Sequence, residues 1–213
     1  MISLRGLGFA YPSGAVVFDG LDMDFREGQK VGLTGPNGSG KTTLFHIIMG
    51  LLPPDAGEVF VFGRPRVHEK DFLEVREKVG LLFQDADDQL FCPTVAEDVA
   101  FGPLNLGKGH DEAEAIVTET LGMLGLKGFE GRVTYRLSGG EKRLVSLATV
   151  LAMKPAALLL DEPTAGLDEK TTHRLVEVLD AHVRSCIIIS HDHEFLKKTT
   201  NISCRMEGGR VVY

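Results

Sequence analysis

A chain of 213 residues with 43% hydrophobic content is long and apolar enough to bury one globular core, and it carries no low-complexity tract. Its formal charge of -7 argues against a broad nucleic-acid-binding face, which needs clustered lysine and arginine. The longest apolar runs, such as 156–160 and 187–189, are far short of the roughly 18 residues of a membrane-spanning helix, so no transport pathway is expected from this chain alone.

The segment from Met1 to Gly6 lacks the charged-then-apolar layout of a secretory signal. Cys92, Cys186 and Cys204 are scattered without metal-ligand spacing, which points to a reducing, cytoplasmic compartment and to cysteines that act as small apolar residues. Short β-type segments run from Ile2 to Phe9, Val16 to Phe18 and Leu21 to Phe25. Gln29 to Leu33 then leads into Gly35-Pro36-Asn37-Gly38-Ser39-Gly40-Lys41-Thr42, and a helical pattern follows from Thr43. Strand, glycine-rich turn, lysine, hydroxyl and helix are the parts of a phosphate-binding loop. The glycines let backbone N–H groups turn on an anion, Lys41 reaches the β and γ phosphates, and the Thr42 hydroxyl is offered to Mg2+. By itself the loop says only that a nucleoside triphosphate binds.

Buried-strand runs recur from Val79 to Phe83, Ala157 to Asp161 and Cys186 to Ser190, with helical patterns between them. Crossover-connected parallel strands are the expectation, so the fold class is α/β: a mostly parallel sheet beside an antiparallel β layer. Residues from about 85 to 154 are expected to form an inserted helical subdomain, with glycine-rich hinges around 102–109 and 125–131. The catalytic core then takes about 1–84 and 155–213 of a single domain. No repeat of about 20 to 50 residues is present, so solenoids and propellers are not indicated.

Ser138-Gly139-Gly140-Glu141 opens an amphipathic run from Lys142 to Leu151. Ser138 and Glu141 fit a capping box, and that could be the whole explanation. Two consecutive glycines cost helix stability, however, and make better sense if a phosphate approaches the backbone at the positive helix end. Asp161 and Glu162 close the strand that begins near Ala156. At a strand mouth beside phosphates, Asp161 suits water-mediated hold on Mg2+ and Glu162 suits polarisation of the attacking water; two solvated acids are the plainer alternative.

Taken together, these three stretches resemble the ATP-binding-cassette (ABC) ATPases, whose signature is Leu-Ser-Gly-Gly-Gln, and the resemblance covers essentially the whole chain. It implies two cassettes meeting head to tail. Each ATP would lie between Gly35, Asn37, Gly38, Ser39, Gly40, Lys41, Thr42 and Thr43 of one subunit and Ser138, Gly139, Gly140 and Glu141 of the other. Glu141 departs from the family's glutamine, but a carboxylate still accepts hydroxyl hydrogens from the nucleotide sugar. The resemblance further implies that Tyr11 stacks on adenine, that Gln84 senses Mg2+ and joins the core to the helical subdomain, and that His191 contacts the γ phosphate. Thr164-Ala165-Gly166-Leu167-Asp168 matches the loop that crosses the dimer interface, although Asp168 could simply cap the helix that follows.

The stretch from Phe83 to Leu106 is similar to the ATPases of cobalt, nickel and energy-coupling-factor vitamin importers. In those systems this region receives a coupling helix of the membrane subunit, and Asp85, Asp87 and Asp88 would give an acidic edge suited to its arginines. A solvated acidic loop before a helix is the alternative. The resemblance thus implies ATP and Mg2+ as cofactors and a second cassette, identical or paralogous, as partner. It also implies integral membrane subunits, with or without a substrate-binding membrane protein, and a peripheral place on the cytoplasmic membrane face; no nucleic acid is expected. Many such ATPases carry a further C-terminal segment, whereas this sequence stops at Tyr213, so dimerisation is expected to rest on nucleotide and membrane partner. A soluble cassette acting on ribosomes or nucleic acid is the rival reading. A small-molecule kinase fits less well, because no lid with catalytic arginines is evident.

Overall fold

The computed structural model describes residues 1–213. In chain order its elements are β1 (Ile2–Ala10), β2 (Val16–Phe25), β3 (Lys30–Thr34), α1 (Lys41–Ile48), β4 (Ala56–Val61), β5 (Arg64–Pro65), α2 (Leu73–Lys78) and β6 (Val79–Leu82). They continue with α3 (Val95–Asn105), α4 (His110–Met123), α5 (Gly139–Leu151), β7 (Ala157–Asp161), α6 (Glu169–His182), β8 (Cys186–Ile189), α7 (His193–Thr199), β9 (Ile202–Glu207) and β10 (Arg210–Val212). One sheet is antiparallel in the order β2-β1-β4-β5; the other runs β10-β9-β3-β8-β7-β6 and is parallel except where β10 meets β9. The expected α/β architecture with an antiparallel layer is the one observed.

Strand periodicity explains how the parallel sheet holds both sides of the molecule. Successive side chains point to opposite faces. Leu159, Ile187 and Ile189 therefore join a core with β1, β2 and α1, while Leu158, Leu160, Cys186 and Ile188 join a second core with α3 to α6. Strands buried on both faces read as continuous apolar runs, which is why β7 and β8 lack polar alternation.

Three expectations change. The segments from Val16 to Phe18 and from Leu21 to Phe25 are one strand, β2, because Asp19 and Gly20 are absorbed by register irregularities against β1. Gly102 is not part of a hinge: it lies inside α3, where a Cβ would come within 2.6 Å of Met153, so the glycine serves close packing. β4, β5, β9 and β10 were not anticipated, although β4 and β9 bury every second residue in their second halves.

What matters for the site is register. Asp161 is paired with Ile189, and Leu33 is paired with Ile189 from the other side. The carboxyl ends of β3, β7 and β8 therefore finish on one line, where ligands gather in such sheets. Gly80 of β6 tests this packing, because an added Cβ would fall 2.2 Å from Val150 Cγ1 and 2.8 Å from Leu158 Cδ2. Gly80→Ala should lower stability by about 1–3 kcal/mol in urea denaturation, and Val150→Ala in the same chain should recover part of the loss.

Candidate functional site

The loop between β3 and α1 closes on itself through Lys41, whose Nζ donates to the carbonyls of Gly35 and Pro36, both at 2.9 Å. The side chain is only 8% exposed; burial pulls its pKa down, while Asp161 and Glu162 oppose that shift. Two glycines here are required. Gly35 and Gly40 have φ of 144° and 99°, and a Cβ at either would sit 2.4 Å from Met206 O or Val17 Cγ1. The Ser39 hydroxyl is buried without a hydrogen-bond partner in the chain, and α1 starts with no side-chain cap, so polar groups of the loop remain available to an anion.

Across from the loop, Thr42 donates its hydroxyl to Asp161 Oδ2 at 2.5 Å. Asp161 is 2% exposed, and burial pushes its pKa up against the Thr42 hydrogen bond and the Lys41 charge. Glu162 follows with φ of 49°, a left-handed backbone that costs energy for a residue other than glycine. The turn is held by the Glu162 N–H donating to Ile189 O at 2.9 Å. Burial also raises the Glu162 pKa, against the hydrogen bond from the His191 N–H. His191 Nε2 lies 3.1 Å from Asn37 Oδ1 and 3.5 Å from Glu162 Oε1.

A cavity of about 360 Å³ brings most of the sequence-derived residues together: Tyr11, Asn37 to Thr43 in part, Gln84, Asp161, Glu162 and His191 all line it. Tyr11 sits at its rim with its hydroxyl 2.8 Å from Thr43 Oγ1 and its ring edge-on to Phe9, leaving the ring partly open to solvent.

Ser138, Gly139, Gly140 and Glu141 do not reach this cavity. Gly139 lines a neighbouring cleft of about 670 Å³ that also borders Thr42 and Gln84. Within the chain, Ser138 and Glu141 form a full capping box: Glu141 Oε2 accepts from the Ser138 N–H at 2.8 Å and from its hydroxyl at 2.9 Å. Glu141 Oε1 meets Arg132 at 2.9 Å, and the Ser138 hydrogen bonds hold its carboxyl below the usual carboxylate range. The two glycines differ. A Cβ on Gly140 would lie 2.9 Å from Gly166 O, whereas one on Gly139 would meet nothing, so packing accounts for only the first. Asp168 caps α6, accepting from the Thr171 N–H at 2.7 Å.

The three acids after Gln84 are not equivalent. Asp85 accepts from the Asp87 N–H, and Asp87 is paired with Lys142 Nζ at 2.5 Å. Asp88 borders both the cleft and a groove of about 310 Å³ lined by Leu51, Phe91, Phe101 and Met153. Phe91 and Phe101 stack edge to face at 4.8 Å although they are 66% and 49% exposed, a pair of rings that the sequence pattern did not single out. Also unanticipated are Gln89, whose side chain bonds the Phe83 N–H, Ser146 O and Thr149, and Arg143, which is 6% exposed and donates to the carbonyls of Phe83 and Gln84. The available signal for Arg143 was an arginine amid the apolar positions of an amphipathic helix.

A phosphate-sized loop facing an aspartate-glutamate pair at the ends of parallel strands defines a phosphate-loop nucleotide hydrolase. The ABC transporter family profile matches residues 18–165, and the chain belongs to that family. The energy-coupling factor transporter ATP-binding protein EcfA of Methanothermobacter thermautotrophicus is 46% identical over 216 residues, spanning 100% of this chain and 70% of that protein. Among solved structures, cbiO1 of Clostridium perfringens, part of the ABC transporter complex cbiONQ, is 34% identical with a TM-score of 0.85, covering 100% of this chain and 86% of that one. The ATP-binding cassette MJ0796, in a dimeric post-hydrolysis state bound to ADP and Pi, is 26% identical with a TM-score of 0.90, over 100% and 97%. The chain is accordingly an ATP-binding, ATP-hydrolysing subunit of an ABC transporter. No helix is long and apolar enough to cross a membrane.

Burial of charged Asp161 costs stability that an amide would not. Because the folded carboxyl has a pKa above its ordinary 3.8, the penalty is complete above the raised value and disappears as pH falls toward 3.8. Asp161→Asn should therefore melt higher than wild type at pH 7, with the gap closing on acidification in a fluorimetric melt series.

Proposed function

We propose that two cassettes, identical or paralogous, close head to tail on ATP and energise an importer of cobalt or nickel ions or of a vitamin, through integral membrane subunits on the cytoplasmic face. The observation that carries the catalytic part is the placement of Glu162: a left-handed turn at the end of β7 sets its carboxylate beside His191 inside the loop cavity. In this reading, loop amides and Lys41 hold the phosphates and Tyr11 presents its ring to adenine. Glu162 accepts the proton of the attacking water, and His191, steadied by Asn37, hydrogen-bonds the γ phosphate. The open amides at Gly139 serve the second cassette's nucleotide, with Ser138, Gly140 and Glu141 shaping that turn and Asp168 fixing the loop beside it.

Mg2+ fits the oxygen set formed by the Thr42 hydroxyl, Asp161 and Gln84, and when bound it would neutralise charge on the β and γ phosphates. For the importer, support comes from the relatives' names and from the segment after Gln84, where the acidic edge of Asp85, Asp87 and Asp88 adjoins the apolar groove with Phe91 and Phe101. An amphipathic helix of a membrane subunit with arginines at its border matches both halves of that surface.

Glu162→Gln should retain ATP binding while hydrolysis falls by about a hundred- to ten-thousandfold, measured by phosphate release. Protonation of Glu162 removes the base, so wild-type kcat should fall on acidification through a pH above the ordinary glutamate value of 4.5, and the residual rate of Glu162→Gln should lack that limb. The same variant, purified from solubilised membranes with ATP and Mg2+, should bring along a multi-helix membrane subunit identifiable by mass spectrometry. Recovery of ribosomes or DNA-bound proteins would overturn the importer reading. Lysines at both Asp87 and Asp88 should abolish membrane recovery while ATP binding persists; unchanged assembly would remove these acids from the coupling surface.

A further inference from the structure

α5 does more than present the turn at Ser138. Near its start it carries two adjacent cations, Lys142 and Arg143, that reach back across roughly sixty residues of sequence to the segment that follows β6. Lys142 takes the carboxylate of Asp87, and Arg143 spans the carbonyls of Phe83 and Gln84, with Nη1 2.6 Å from Phe83 O. The Lys142 pair is outward, its Asp87 side chain 68% exposed, so solvent screens it. The Arg143 bonds are different. The guanidinium is buried, and burial pulls its pKa down against the opposing charges of Asp161, Asp85 and Glu162; its two donors land on consecutive backbone carbonyls. A planar fork holds two carbonyls in one fixed relative geometry and thereby fixes the peptide between them; an ammonium on a flexible stem can reach two carbonyls, as Lys41 does, but imposes no plane on them. The peptide so fixed is the one that sets where Gln84 enters the junction of cavity and cleft, since Gln84 borders both.

We propose that Arg143 is a positioning residue for Gln84: it fixes the Phe83–Gln84 peptide to the N-terminal end of α5, so that the glutamine side chain is held beside Thr42 and Asp161 only when that end of the helix is in register. The inference rests on the role given to Gln84 above and adds the link through which the turn at Ser138 and the glutamine of the same chain move as one body. Rigid tethering of this kind can matter to rate well beyond the strength of the bonds involved, because small misplacements of a reacting-site group are costly.

A double-mutant cycle on the full chain separates positioning from plain structural support. Arg143→Met and Gln84→Ala should each lower kcat for Mg-ATP hydrolysis by about tenfold or more, with the affinity for ATP in the absence of Mg2+ changed by less than about twofold. The combination should be no slower than Gln84→Ala alone, since Arg143 then has nothing left to position. Arg143→Lys, which keeps the buried charge but not the fork, should give an intermediate kcat with ATP affinity retained. It replaces Arg143→Met in the cycle if that variant does not fold. Losses that multiply in the double variant would overturn the positioning role while leaving Gln84 in place. An unchanged kcat in Gln84→Ala would overturn the inference together with the role of Gln84 on which it rests.

Discussion

One buried ammonium, that of Lys41, faces the buried carboxylate of Asp161 and the half-buried one of Glu162 across the mouth of the parallel sheet, and the site is organised around that charge balance. Lys41 loses hydration on entering the fold, as do Asp161 and Glu162. Each is tolerable because the others are present and because backbone carbonyls and a hydroxyl complete the hydrogen bonding. The balance is incomplete in the free chain: Ser39 keeps a buried hydroxyl without a partner, and both acids are held above their ordinary pKa. Such unsatisfied groups are costs that a phosphate and a divalent cation would relieve.

The backbone supplies the rest of the constraint. β3, β7 and β8 end in register, and the chain leaves β7 through a left-handed residue that is not glycine. Strain of this sort persists where the surroundings over-determine it. Here the Glu162 N–H is tied to β8 and its carboxylate is met by the His191 N–H, so the same short segment is fixed from two sides.

Much of this was legible in the sequence because it is local. The phosphate loop, the capping box at Ser138 and the acid pair at the end of β7 are contiguous strings whose chemistry follows from adjacent residues. What escaped the sequence is tertiary. Nothing near Arg143 announces that it will reach Phe83 and Gln84, and Lys142 looks like one more solvated charge until Asp87 appears beside it. Gly102 misled for a related reason: a glycine beside a proline suggests a flexible joint, whereas its lack of a side chain is used to bring α3 against Met153. Val16 to Phe25 was divided because Asp19-Gly20 is ordinary turn punctuation, and only pairing with β1 overrides it.

The alternation along β7 carries a consequence for how the chain can be divided. Leu158 and Leu160 form part of the wall against which α5 packs, while Leu159 between them belongs to the opposite core. The helical stretch from 85 to 154 is therefore inserted in sequence but borrows its floor from strands on either side of it. Excised, it would turn Val145, Leu147 and Ala148 toward water, and the remaining halves would keep only α6 and α7 on that side of the sheet. The boundary near residues 84 and 155 is thus a seam in the chain path and not a line along which the protein could be cut and still fold.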